Sequence, residues 1–214
     1  MNARNYSPLD HLLINLDSAI HTVFGLPATT GRPNPAADCP ESTLTEQEQR
    51  ISAGLMRVNH AGEVAAQALY QGQALSARLP EVRDNMERAA LEENDHLAWC
   101  EQRLQELDSH TSVLNPCWYI GSFAIGSLAG LAGDKWSLGF VLETERQVIK
   151  HLEEHLVNMP KADNKSRAIL EQMKTDELHH ATIALKSGAA ELPEPIKQIM
   201  SITSKLMTKT AYYL

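Results

Sequence analysis

The sequence predicts an all-α protein built on a four-helix bundle, and three observations carry that expectation. Ala, Leu, Glu, Gln and Arg recur in long helix-favouring stretches, while aromatics make up only 5% and β-branched clusters are sparse. Prolines fall between those stretches rather than within them. With 43% apolar residues, a chain of 214 residues can bury one sizeable core, which suits one domain with appendages better than two domains.

Taken in order, residues 9–24 form a first amphipathic helix, with Leu12, Leu13, Leu16, Ile20 and Phe24 on one side, Ser7 as its N-cap and Pro8 in its first turn. The tract PATTGRPNPAADCP, residues 27–40, is breaker-rich and reads as a linker. Residues 1–41 are therefore an N-terminal helix and linker, and residues 42–214 the bundle domain. Ser42 or Thr43 with Glu46 supplies a capping signature for a second helix, which runs through LMRVNHAGEVAAQALYQGQALS and stops before Pro80. A third covers residues 81–107, where neither Gly nor Pro intervenes. Two more long helices are expected over residues 138–158 and 166–187, separated by Pro160 and a polar turn. Long helices joined by short loops pack antiparallel.

Between the second and third long bundle helices lies TSVLNPCWYIGSFAIGSLAGLAG, residues 111–133, without a charged residue. Its length suits a membrane span, but Pro116 and glycines 121, 126, 130 and 133 weaken a spanning helix. The GSLAG pattern suits close helix contact. The expectation is an apolar face that touches a membrane or lipid-like ligand, with ordinary core and a true span as alternatives. The C-terminal IKQIMSITSKLMTKTAYYL reads as one more amphipathic helix, with Lys197, Lys205 and Lys209 on its wet side.

Charge excludes one function class. With 19 Lys plus Arg against 27 Asp plus Glu, the formal charge of −8 opposes general nucleic-acid binding, which needs surplus cations. Cys39, Cys100 and Cys117 share no metal-ligand spacing and frame no disulfide pattern, which fits a reducing compartment. Asp10 and Asp17 interrupt any signal-peptide core near the N-terminus.

The chemistry is concentrated in two repeated pairs. Glu93-Asn-Asp-His96 and Glu177-Leu-His-His180 each place a glutamate one helical turn before a histidine, so both side chains can address one target. Taken singly, such a pair is ordinarily a solvated surface contact. Here each is preceded, 30 and 32 residues earlier, by a helix with one inward glutamate: Glu63 among small and apolar neighbours, and Glu145 in LETERQVIKHL. The order "Glu helix, then Glu-x-x-His helix" thus occurs twice, as in a pseudo-twofold bundle whose ligands converge at its centre. Four carboxylates carry −4, which two divalent cations cancel in a low-dielectric interior. Oxygen-rich ligation with one histidine per ion suits iron or manganese better than zinc, and open coordination positions suit dioxygen chemistry.

Glu92, Asp95, Glu143 and Asp176 flank these ligands and are expected to be surface charges. His151-Leu-Glu-Glu-His155 also matches an inverted zinc-peptidase pattern. Standing six residues after Glu145, His151 is expected instead to point back to the same side and support the metal site from behind. The tryptophans and methionines are expected to be packing residues.

The segment RVNHAGEVAA around Glu63, followed by ENDH, ETERQVIKHL and DELHH in that order, resembles the iron-ligand boxes of the demethoxyubiquinone hydroxylase family, and the likeness runs from about residue 45 to the C-terminus. The RVNHAGE string is its most specific part. The resemblance implies a ferritin-like fold in which Glu63 and His96 hold one iron, Glu145 and His180 the other, and Glu93 with Glu177 bridge them. It selects Glu145 over Glu143 by its spacing to Val148 and His151. It further implies a monooxygenase that uses O2 activated between two irons to hydroxylate a polyprenylated methoxy-methyl-benzoquinol. Such an enzyme would lie on the membrane surface, at the cytoplasmic side of the cell inner membrane, near other ubiquinone-biosynthesis proteins. Ferritin-like or rubrerythrin-like iron oxidation or peroxide scavenging is the alternative that the Glu-x-x-His pairs alone leave open.

Overall fold

Seven helices, and no strand, occur among the residues described by the computed structural model, 8–25 and 28–214. They are α1 (Pro8–Phe24), α2 (Glu46–Ala74), α3 (Pro80–Glu106), α4 (Asn115–Leu131), α5 (Asp134–Asn158), α6 (Asn164–Lys186) and α7 (Glu194–Ala211). Ser7 and Pro27 lie outside the described residues, as does the side chain of Leu12.

Side-chain caps open α2 and α6, and two starts are shifted from those expected. One is that of α5, which begins at Asp134 rather than 138. The helix α2 starts after Thr45 rather than Ser42 or Thr43, because Thr45 and Glu48 satisfy both halves of a capping box: Thr45 Oγ1 accepts from Glu48 N at 3.3 Å, and Glu48 Oε2 accepts from Thr45 N at 2.9 Å. Before α3, where Pro80 opens the helix, the free amides of Arg78 and Leu79 donate to Asp134 at 2.9 and 2.8 Å. That carboxylate ties the start of α5 to the start of α3. Asp163 caps α6 by accepting from Ser166 N at 3.0 Å.

The uncharged segment folds as α4, with Pro116 in its first turn, where a missing amide proton costs nothing. Its glycines let it lie on α2 almost backbone to backbone. A Cβ on Gly126 would stand 2.3 Å from the Leu69 carbonyl oxygen, and one on Gly72 of α2 would stand 2.4 Å from that of Phe123. Close helix contact is thus what the GSLAG pattern serves.

Helices α2, α3, α5 and α6 form the bundle, α2 packing on α3, α5 on α6, and α3 meeting α6. Two core layers fill it. Met56, Leu104, Leu152, Ile169 and Met173 belong to one; Tyr70, Met86, Leu138, Leu142 and Ala184 to the other. On each bundle helix the predicted ligand positions fall between these layers. The linker is no free tether: Ala36 is buried in the first layer, and Asn34 Nδ2 donates to Gln102 of α3 at 2.9 Å.

Outside the bundle, α1, α4 and α7 expose apolar side chains. Leu13, Leu16, Ile20 and Phe24 of α1, Ile120, Leu128 and Leu131 of α4, and Ile199, Ile202 and Leu206 of α7 are all half or more exposed. No helix among the described residues is long and apolar enough to cross a membrane.

Replacing Gly126 by Ala should destabilise the fold by about 1–3 kcal/mol, because a backbone-on-backbone clash outweighs the roughly 1 kcal/mol that Ala gains in helix propensity. Urea denaturation measures the difference. Two buried histidines add a pH dependence. Burial pushes His60 down to about 4, and burial with the charge of His151 takes His155 to about 4. Both rings fold neutral, so the unfolded chain binds more protons below pH 6.5 and stability should fall as pH drops from 6.5 towards 4. A His155→Gln variant, keeping a donor for Asn59 Oδ1, now 2.9 Å from His155 Nδ1, should show a shallower decline in thermal midpoint over that range.

Candidate metal centre

All six predicted ligands converge in the bundle interior. Glu63 comes from α2, Glu93 and His96 from α3, Glu145 from α5, and Glu177 and His180 from α6; each is at most 4% exposed. They form two overlapping quartets, Glu63, Glu93, His96, Glu177 and Glu93, Glu145, Glu177, His180. Within each, one ligand atom per residue lies within 4.8 Å of the others. Glu93 and Glu177 belong to both, the positions that bridging carboxylates require. Glu145, not Glu143, joins the cluster; Glu143 instead accepts from Gln147 at 2.9 Å.

The histidines turn the same nitrogen inward. His96 Nδ1 lies 3.0 Å from Glu93 Oε2 and 3.4 Å from both Glu63 Oε2 and Glu177 Oε1. His180 Nδ1 lies 3.2 Å from Glu177 Oε2 and 3.4 Å from Glu93 Oε1. Each Nε2 donates outward to a carboxylate of the opposite Glu-x-x-His helix: His96 to Asp176 at 2.9 Å, His180 to Glu92 at 2.8 Å. A proton held on Nε2 leaves Nδ1 as the nitrogen that a neutral ring would turn to a cation.

The electrostatics of the cluster suits a cation. Burial, reinforced by the neighbouring charge of Glu93, holds the Glu63 carboxyl well above the usual range; burial with Glu177 and Glu93 does the same to Glu145. Burial would lower His96, but hydrogen bonds to Asp176, Glu177, Glu63 and Glu93 outweigh it and draw the ring towards its protonated form. Protons and imidazolium charge therefore do here what divalent cations would do better. Glu63 Oε2 and Glu93 Oε1 are also buried, with no donor nearer than the histidine nitrogens at 3.4 Å, which leaves them lone pairs suited to a cation. The donor set fits a two-metal group.

Comparison with known proteins places this geometry in a family. The model of the ubiquinone biosynthesis protein COQ7 family matches residues 50–211. The chain belongs to the COQ7 family. It is 62% identical over 214 residues to the 3-demethoxyubiquinol 3-hydroxylase of Nitrosococcus oceani, covering all of both chains. To the protein of the same name from Pseudomonas putida it is 58% identical over 209 residues, covering 98% of this chain and 97% of that one. The likeness to these COQ7-type relatives therefore includes the N-terminal linker. Among solved structures, the bacterioferritin-related dodecameric thioferritin of Bacteroides fragilis superposes with a TM-score of 0.54 at 17% identity, covering 76% of this chain and 92% of that one. The fold is ferritin-like.

Around the ligands of this COQ7 family chain, the structure corrects several expectations. Asp176 and Glu92 are not free surface charges but hold the two histidines, and Asp95 is 1% exposed beneath the linker. The position preceding each bridging glutamate is turned about 100° from it, which in a four-helix bundle points at the adjacent helix rather than at water. His151 is not behind the centre. Six residues advance about 600°, some 120° short of two turns, so its ring faces α7, where Nε2 lies 2.9 Å from Ser204 Oγ. Tyr70 went unnoticed in the sequence. Its buried hydroxyl donates to Glu145, and its place two turns after Glu63 put it on the ligand face of α2. Thr30 and Arg32, which reach Asp95 from the linker, carry no local signal at all.

Replacing Glu92 by Gln keeps an acceptor for His180 Nε2 but removes the charge, and should weaken metal binding about 10–100-fold. Anaerobic titration of the metal-free protein with Fe2+ measures it.

Proposed function

We propose that this protein is a di-iron monooxygenase that hydroxylates a polyprenylated methoxy-methyl-benzoquinol, converting demethoxyubiquinol to demethylubiquinol in ubiquinone biosynthesis. The reading is carried by the two buried carboxylate and histidine quartets sharing Glu93 and Glu177, and supported by full-length relatives named 3-demethoxyubiquinol 3-hydroxylase. Glu63 and His96 would hold one iron, Glu145 and His180 the other, with Glu93 and Glu177 between them. The irons would activate dioxygen, placing one atom on the unsubstituted ring carbon and releasing the other as water, with two electrons from an external donor or from the quinol.

The protein's own work is placement and charge. Four carboxylates would neutralise two divalent ions, so the loaded centre would carry no net charge in the buried interior. Asp176 and Glu92 keep both imidazoles in the ligating tautomer, and Tyr70 fixes the Glu145 carboxylate. A substrate with a long isoprenoid tail resides in a bilayer, and the apolar side chains exposed on α1, α4 and α7 support contact with the membrane surface, assigned here to the cytoplasmic side of the inner membrane. That apolar surface favours the hydroxylase over ferritin-like iron oxidation, which needs no such face.

Glu177→Ala removes a carboxylate common to both quartets and should abolish bound iron and turnover together. In a strain carrying only this variant, mass spectrometry of extracted quinones should find the demethoxy precursor in place of ubiquinone. Full iron occupancy with normal ubiquinone would remove Glu177 from the ligand set.

A further inference from the structure

The linker supplies none of the six ligands and precedes residues 50–211, yet it reaches the centre. Residues 28–36 lie across α3. Asn94 Nδ2 donates to the Ala28 carbonyl at 2.8 Å, Thr30 N donates to Asp95 Oδ1 at 2.8 Å, the Thr30 hydroxyl donates to the same carboxylate, and Ala36 is buried in the core. Arg32 is set between these anchors. Its Nε donates to Asp95 Oδ2 on α3 at 2.7 Å and its Nη1 to Asp176 Oδ2 on α6 at 2.9 Å. The guanidinium lies over the Trp99 ring, 5.1 Å from its centre, and that ring lies 5.5 Å from His96.

One atom connects this strap to the metal site. Asp176 Oδ2 accepts from both Arg32 Nη1 and His96 Nε2, each at 2.9 Å, while Oδ1 accepts from Gln172 at 2.9 Å. Asp176 is thereby held on three sides, and the ring it orients is held with it. The other half of the bundle lacks the clamp: among the described residues, Glu92 ion-pairs with His180, no Lys or Arg lies within ion-pairing distance of it, and the charge of Arg32 reaches it only from further off. An arginine suits the task because its planar fork can bridge two carboxylates from different helices in fixed geometry, whereas a lysine is a point charge on a flexible stem.

We infer that Arg32 is a positioning residue for the His96 half of the centre: by clamping Asp95 to Asp176 it fixes the acceptor that orients His96, and so makes the two metal positions unequal. The inference rests on the two-metal reading above. Without the guanidinium, Asp95 and Asp176 lose their shared cation, Asp176 is free to turn, and His96 must be ordered by the metal itself. The His180 half, held through Glu92, keeps its partner.

The test is anaerobic calorimetric titration of Fe2+ into the metal-free full chain, for wild type, Arg32→Ala and Arg32→Lys, with the thermal midpoint of each metal-free protein as a fold control. Wild type should bind two ions; Arg32→Ala should lose about 10–100-fold affinity for one while the other stays within about threefold, and Arg32→Lys should fail to restore the loss. Mössbauer spectra with less than one equivalent of 57Fe should show the remaining iron in a single environment in Arg32→Ala. Wild-type affinity for both ions in Arg32→Ala overturns the inference, as does full rescue by lysine. An equal loss at both positions with a lowered midpoint marks a merely structural strap and overturns it too. Failure of the wild type to bind two ions would instead defeat the two-metal reading itself.

Discussion

Four carboxylates and two imidazoles enclosed together in a helix bundle govern how the rest of this protein is arranged. Like charges in a dry interior repel strongly, and the cluster persists only where counter-charge and hydrogen bonds are supplied from every side. The inward-facing oxygens of Glu63 and Glu93 have only the histidine nitrogens at 3.4 Å, while the outward nitrogens of both histidines are bonded. The two apolar layers above and below exclude water and hold the four helices at the spacing the ligands need.

The supports are arranged crosswise. Each histidine sits on one Glu-x-x-His helix and is held by a carboxylate from the other, so α3 and α6 are tied by the same bonds that fix ligand tautomers. Departures from twofold symmetry come from the linker, outside the repeat, and from one residue of α2 within it. Arg32 and Thr30 of the linker brace the His96 side, and Tyr70 braces Glu145. A pseudo-symmetric bundle thus acquires two differently supported halves, which suits the proposed reaction, in which one oxygen molecule and one ring would meet from a defined direction.

The remaining helices are governed by a different constraint. The helix α4 has no charged residue to keep it in water, and α2 accepts it only because Gly72 and Gly126 let the two backbones touch. One face of α4 is spent on that contact, and the other carries exposed Ile120, Leu128 and Leu131. The apolar residues of α1 and α7 are exposed in the same way, which the bundle's own packing does not require and which the proposed bilayer-resident substrate explains.

Much was legible in the chain because it follows from local periodicity. The bundle helices end close to where proline and polar turns placed them, and Glu63, Glu93, His96, Glu145, Glu177 and His180 meet because helical spacing puts i and i+3 on one face and the duplicated order puts four such faces opposite one another. The tertiary fold decided what surrounds them. Whether Asp176 and Glu92 face water or a neighbouring histidine, whether His151 looks inward or at α7, and what Arg32 touches 144 residues away in the chain depend on how helices are rotated and set side by side. Sequence fixes the azimuth of a side chain on its own helix; only packing fixes what stands opposite it.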